Sequence, residues 1–438
     1  MSNEELKYQA GFGSAMMTEA LEGALPDVRH VPRKAPYGLY PEQINGTGFT
    51  VARAQNKRTW MYRLRPQILD RGFSRIEHPR LRGRFDDGVP SPQVMRYRAI
   101  ALPEAPTDFL DGLTTFAGAG APAIKRGVAM HLYAANQDMA RVMANVDGDL
   151  LLAPEQGRLR IQTEMGWLEV RPTEIAVLPR GIRFRVLLPD GAARGFVAEL
   201  YDGHFQLPER GPVGANGLAD EQHFEAPVAW FEDRQEETPI VVKQGGQLFQ
   251  IVSPFSPFDV VAWQGNYTPY KYDLSKFNAL GSVTWDHPDP SILTVLTCPM
   301  DSHGRNAIDV AVFSRRWDVT EGTFRPPFLH RNSAIEFNAV VKSRAEAGPW
   351  TSGAFSYTPY LTPHGVSAGT VKRVLAMSDE RADAPQLLSD EDVWVQFEST
   401  YLLNVMPWMF DHEARDAGYL ASFSGYPAGA AAGREPTT

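Results

Sequence analysis

Three histidines of this chain sit among prolines, glycines and acidic residues that hold side chains at turns. His287 lies in Trp285-Asp286-His287-Pro288-Asp289-Pro290, His330 in Arg325-Pro326-Pro327-Phe328-Leu329-His330-Arg331-Asn332, and His364 in Leu361-Thr362-Pro363-His364-Gly365. His330 and Glu336 form an H-x5-E pair. On a helix the two side chains would point about 240° apart. On one straight strand they would share a face but stand roughly 20 Å apart. A shared metal ion therefore requires a turn between them, which Arg331-Asn332-Ser333 supplies, with His364 arriving from a later strand after Pro363. Two histidines and one carboxylate on one face, with positions left open, make up the ligand set of non-haem Fe(II) oxygenases. The competing reading is structural: His330 is a hydrogen-bonded core histidine, Glu336 a surface carboxylate, and His287, His303 and His412 ordinary surface residues.

The elements that must carry these residues read as β. The 34 prolines and 37 glycines are spread along the chain and punctuate short runs rich in Val, Ile, Leu, Phe and Thr, as in β-sandwiches. Expected strands include Leu150-Leu152, Leu159-Thr163, Trp167-Val170, Glu174-Leu178 and Arg183-Leu188, bounded by turns such as Asp147-Gly148-Asp149 and Pro179-Arg180-Gly181. Ser282-Trp285, Ser291-Thr297, Ala307-Phe313 and Ile335-Val341 continue the pattern in the second half. Helical periodicity is scarce, Pro106-Leu113 and Ser389-Tyr401 being the better cases. The spacing predicts an all-β fold with minor helix, built as two jelly-roll β-sandwich domains. Residues 1–280 form the first, residues 281–424 the second, and the Ala-, Gly- and Pro-rich stretch 425–438 is expected to be disordered.

Bulk properties narrow the chemistry. The single cysteine, Cys298, excludes an internal disulfide and a thiolate cluster, so a metal must be held by His and carboxylates. A net charge of -9 provides no basic excess for phosphates, so no nucleic-acid role is expected. The acidic start Met1-Ser2-Asn3-Glu4-Glu5 lacks the features of a secretory signal, and no apolar run reaches the length of a membrane span. The expectation is a soluble cytoplasmic protein.

Long segments resemble the homogentisate 1,2-dioxygenase family. They are Tyr8-Gln9-Ala10-Gly11-Phe12-Gly13, Pro36-Tyr37-Gly38-Leu39-Tyr40-Pro41-Glu42-Gln43, Trp60-Met61-Tyr62-Arg63 and Asn266-Tyr267-Thr268-Pro269-Tyr270-Lys271-Tyr272-Asp273-Leu274 in the first part. Asp286-His287-Pro288-Asp289-Pro290-Ser291, Thr294-Val295-Leu296-Thr297, and Thr323-Phe324-Arg325-Pro326-Pro327 leading into His330-Arg331-Asn332 and Glu336-Phe337 continue it. The resemblance implies two cupin-like sandwiches, the first without metal ligands, and assembly into trimers that pair as hexamers. It implies Fe(II) as cofactor, with His330, Glu336 and His364 matching the family's iron ligands and His287 the nearby acid or base. The implied reaction opens the ring of homogentisate or a related substituted hydroquinone, a small aromatic substrate, with insertion of both atoms of O2.

The departures from the family pattern are concentrated. The aromatic pair before His-Arg-Asn, which usually ends in Tyr, reads Phe328-Leu329. Ala345 and Gly348 stand for a tyrosine and a lysine in Ser343-Arg344-Ala345-Glu346-Ala347-Gly348, Thr358 stands for a histidine, and Gln264 replaces a histidine after Trp263. A site that has lost donors for a polar substituent discriminates less for it. Two substrate readings follow: a paralogue that opens a hydroquinone with a less acidic side chain, or homogentisate itself with Arg344, Arg325 or another donor taking over. A non-catalytic cupin-like binding protein and a cupin isomerase or metal hydrolase are the alternatives from other classes.

Overall fold

The computed structural model describes residues 6–68, 71–209, 218–279, 293–301, 304–325 and 328–429. His287, His303 and the expected strand Ser282-Trp285 lie outside them. Three large sheets stack in layers. The middle one has nine strands, in the order Tyr8–Ala10, Phe224–Pro227, Tyr270–Asp273, Glu174–Leu178, Asp149–Gln156, Ala193–Leu200, Arg126–Ala135, Leu113–Ala121 and Asn404–Val405. On one side lies a seven-stranded sheet that includes Leu159–Thr163, Arg183–Leu187, Val142–Asn145 and Thr238–Gln244. On the other lies a six-stranded sheet in the order Thr294–Pro299, Asn306–Phe313, Val393–Ser399, Ile335–Lys342, Phe355–Thr358 and Met95–Tyr97. A four-stranded sheet, Met16–Glu19, Val260–Gly265, Arg58–Arg63 and Tyr40–Asn45, completes the first half.

The layering explains why strands of the middle sheet read as nearly continuous apolar runs. Successive side chains point to opposite faces, and here both faces are buried. Leu151, Ala153, Ile175 and Val177 join the core shared with the six-stranded sheet. Leu150, Leu152, Ala176 and Leu178 join the core of the first sandwich. Phe116, Phe196, Phe337, Phe355 and Tyr97 form an aromatic nucleus between the halves, with Phe116 and Phe337 edge-on at 5.2 Å and Tyr97 stacked on Phe355 at 4.7 Å. The halves also trade strands: Met95–Tyr97 closes the six-stranded sheet and Asn404–Val405 closes the nine-stranded one. The strand Ile335–Lys342 is thus anchored on the aromatic nucleus through Phe337.

Neither expected helix forms. Pro106-Leu113 is a run of turns that leads into the strand Leu113–Ala121, and Ser389-Tyr401 carries the strand Val393–Ser399. In that strand Val393, Val395 and Phe397 enter the core while Trp394, Gln396 and Glu398 face the other way, a period of two that prevails over helical propensity. The helices present are short, Ala368–Leu375 being the longest, and among the described residues none is long and apolar enough to cross a membrane.

Close packing reaches even the loops. A β-carbon added to Gly46 would lie 2.2 Å from the ring of Tyr267, which is buried and donates from its hydroxyl to the Arg180 carbonyl. Gly46→Ala is expected to destabilise the first sandwich by about 1–3 kcal/mol through overpacking, read as a lower midpoint in urea. An unchanged midpoint would contradict this packing.

Candidate metal centre

Glu336 is the second residue of Ile335–Lys342. Ile335, Phe337, Ala339 and Val341 are buried in the shared core, so Glu336 and Asn338 must face the opposite side of the sheet. There the strand register sets a polar row, with Asp309 opposite Glu398, Glu398 opposite Glu336, and Glu336 opposite Thr358.

His330 and His364 reach Glu336 from a separate piece of backbone. They pair as an isolated antiparallel bridge, each N–H donating to the other's carbonyl at 3.0 Å. Each imidazole then folds back on its own loop, His330 Nδ1 onto the Phe328 carbonyl and His364 Nδ1 onto the Thr362 carbonyl, both at 2.9 Å. Nδ1 must donate in both, which leaves both Nε2 atoms for Glu336 or a metal. His364 Nε2 lies 2.9 Å and His330 Nε2 3.4 Å from Glu336 Oε1. Gly365, at φ 152°, keeps the bridge close, because a β-carbon there would meet the Leu329 side chain at 2.8 Å and the Phe328 carbonyl at 3.0 Å.

One donor atom from each of His330, Glu336 and His364 lies within 4.8 Å of the others. With metal–ligand distances of about 2.0–2.2 Å, such a set closes on one ion after small movements. Two imidazoles ligating through neutral Nε2 atoms and one carboxylate would suit a divalent metal of the first transition row. The His330 side chain is 28% exposed against 7% for Glu336 and 11% for His364, so the His330 side is the open one. The Phe328 ring stands 5.4 Å from that imidazole.

The electrostatics match this arrangement. Burial alone would raise the Glu336 carboxyl, but the hydrogen bonds from His330 and His364 outweigh it and hold it at about 2. The Glu336 hydrogen bond in turn raises His330. A metal ion held here would compete with a proton for these atoms. Next door, Glu398 is pushed up to about 7 by desolvation first, then by the Glu336 and Asp309 carboxylates.

The remaining candidates are scattered. His287 lies outside the described residues. Thr358 is buried beside Glu336. The stretch 343–348 begins where Lys342 pairs with Val393, at the far end of the strand and roughly 20 Å from Glu336. Arg344, offered above as a substitute donor, gives its backbone N–H to Asp392 and faces Asp390. Arg325 donates to the Thr320 and Ala384 carbonyls. Gln264 sits in the four-stranded sheet and bonds the Tyr62 hydroxyl. Sequence reasoning missed Glu398 and Asp309, whose place beside Glu336 depends on strand order. It also gave Asn332 only a turn, although that residue touches Glu336 directly.

The first sandwich holds a charged cluster of its own. Lys243 Nζ reaches Asp147 Oδ2 at 2.9 Å and Glu199 Oε1 at 2.7 Å, and His131 Nε2 reaches Glu199 Oε2 at 3.1 Å, all four side chains being buried. The Lys243 ammonium balances these carboxylates.

Comparison with known proteins places the whole chain. A family profile described as Homogentisate 1,2-dioxygenase N-terminal matches residues 7–274, and one described as Homogentisate 1,2-dioxygenase C-terminal matches residues 275–429. A protein of Oryza sativa subsp. japonica named Homogentisate 1,2-dioxygenase is 45% identical over 433 residues, covering 96% of this chain and 92% of the rice protein. Among solved structures, a cupin 2 conserved barrel domain protein from Leptotrichia buccalis matches at 8% identity and a TM-score of 0.26, over 70% of this chain and 92% of that one. The nickel(II) complex of the bacterial pirin YhhW from Escherichia coli matches at 9% identity and a TM-score of 0.27, over 70% and 99%. The profiles and the rice relative show that the chain belongs to the homogentisate 1,2-dioxygenase family.

Proposed function

We propose that the protein is an Fe(II)-dependent dioxygenase that opens the ring of homogentisate or a closely related 2,5-dihydroxyphenyl compound, inserting both atoms of O2. The observation that carries this reading is the convergence of His330, Glu336 and His364, with both Nδ1 atoms already engaged. These three residues would hold the iron. When bound, iron(II) supplies the exchange of electrons between an aromatic ring and dioxygen that side chains cannot perform.

The chain's own residues do the rest. Glu336 and the two imidazoles fix the reactants' meeting point on the open His330 side, an advantage of proximity and orientation. Phe328 flanks that opening with an apolar ring and restricts how a flat substrate enters. His287 takes the phenolic proton, a role that suits an imidazole titrating near neutrality. The family resemblance also supports a homo-oligomer of trimers or hexamers.

A second reading, a substrate with a less acidic substituent, is favoured by the surroundings of the opening. Phe328 at the opening, and Leu329 and Thr358 next to the proposed ligands, carry no positive charge, and Arg344 and Arg325 bond elsewhere. An oxygen-electrode screen of anaerobically iron-loaded protein against homogentisate, gentisate and alkyl- and acyl-hydroquinones tests both. Uptake of oxygen with at least one hydroquinone is the expected result. Homogentisate outperforming every less acidic member overturns the second reading. Product formation without oxygen overturns the first and points to an isomerase or hydrolase, and no turnover of any member points to a binding protein.

A further inference from the structure

A residue that is not itself a proposed ligand ties together the segments that carry the three. Asn332 lies between His330 and Glu336 in sequence, and its Nδ2 donates to Glu336 Oε1 at 2.6 Å. Its Oδ1 accepts the Ala334 backbone N–H at 3.1 Å, which settles the orientation of the amide: the oxygen must face Ala334, so the nitrogen must face the carboxylate. Its backbone carbonyl accepts the Leu361 N–H at 3.0 Å, on the loop that carries His364. One residue thus grips all three segments that bring donors to the site. Asn338, on the same face of the strand as Glu336, offers its Nδ2 to the other carboxylate oxygen at a longer 3.4 Å.

We infer that Asn332 is a positioning residue that holds Glu336 Oε1 toward the two Nε2 atoms, so that the carboxylate meets a metal through that single oxygen. This rests on the reading of His330, Glu336 and His364 as metal ligands. The short bond from a neutral amide fixes the carboxylate's rotation without competing for the ion, since an amide nitrogen donates and does not ligate. The Asn338 contact keeps Oε2 turned away along the sheet. A carboxylate confined to one bond leaves coordination positions free, as an oxygenase site requires. Released from Asn332, Glu336 would swing and bind through both oxygens or neither.

The test separates positioning from folding. Asn332→Ala removes both the Glu336 bond and the turn bond to Ala334. Asn332→Ser keeps a hydroxyl able to accept from Ala334 N–H but is too short to reach Glu336. The measurements are Fe(II) affinity by chelator competition, the visible absorption of the cobalt(II)-loaded protein, and the melting temperature of the metal-free protein. Asn332→Ser is expected to weaken iron binding by about 10–100-fold, the range for loss of a ligand's hydrogen-bond partner. Its cobalt spectrum should shift while the metal-free melting temperature stays at the wild-type value. Asn338→Ala, losing only the longer contact, is expected to change affinity less than about threefold. Wild-type affinity and an unchanged cobalt spectrum in Asn332→Ser would overturn the inference, as would a fall in melting temperature with affinity intact. Failure of the wild-type protein to bind iron would instead overturn the metal-site reading.

Discussion

Replacing His364 with alanine is expected to abolish iron retention while leaving the fold intact. The imidazole is one of three donors, and a site reduced to His330 and Glu336 loses both a bond and the facial arrangement. The loss of affinity should exceed the roughly 100-fold that removing an outer hydrogen-bond partner can cost. Oxygen uptake should fall to background with it. The backbone is not at risk, because the bridge between His330 and His364 is made by main-chain N–H and carbonyl groups that alanine retains. Glu336 loses one of the two hydrogen bonds that hold its carboxyl down, so its titration moves upward. Metal analysis after desalting, alongside circular dichroism, checks both halves. Iron retained at the wild-type level would remove His364 from the ligand set.

Lys243→Met is expected to give the largest loss of stability. It leaves Glu199 and Asp147 buried without their cation, a cost of about 3–5 kcal/mol, and Lys243 joins the seven-stranded sheet to a glutamate of the nine-stranded one. The pH dependence follows from Glu199. Desolvation pushes that carboxyl up, but Lys243 and His131 outweigh it and hold it at about 2, below its unfolded value near 4.3. A depressed carboxyl stabilises the fold fully above its unfolded value. That contribution is lost as pH falls from about 4.3 toward 2. The wild-type protein should therefore lose stability through this acid window, and Lys243→Met should show a lower urea midpoint at pH 7 with a shallower acid dependence. Equal midpoints at pH 7 would show that the cluster is not what ties these sheets together.

How much of this was legible in the sequence depended on whether a feature was local. The strands Leu159–Thr163 and Glu174–Leu178 were readable because their apolar runs and flanking turns are local. The two misread helices fail differently: Pro106-Leu113 is taken up by turns before the strand Leu113–Ala121, and Ser389-Tyr401 is taken up by a strand. In the second, a short apolar stretch carries both periods weakly, and pairing with distant strands decides between them. The exchange of Met95–Tyr97 and Asn404–Val405 between the halves left no local mark. The turn at Arg331-Asn332-Ser333 was legible, since geometry alone forbade a shared metal without it. That the turn also carries a side chain gripping Glu336 was not, because it depends on where the Ile335–Lys342 strand begins. The altered residues around Ala345 and Gly348 looked like one rewritten pocket in sequence. Of the altered positions among the described residues, Leu329 and Thr358 adjoin the three proposed ligands, while 343–348 begins at the other end of the strand.

The most direct test of the central claim is a single turnover of iron-loaded protein under heavy-isotope dioxygen, using the best hydroquinone from the oxygen screen. Mass spectrometry of the product reads the outcome. A ring-opened product carrying both labelled atoms, formed by the wild-type protein and absent with His364→Ala, is the predicted result. A product with one labelled atom or none, or one formed equally well by His364→Ala, would contradict ring opening at His330, Glu336 and His364.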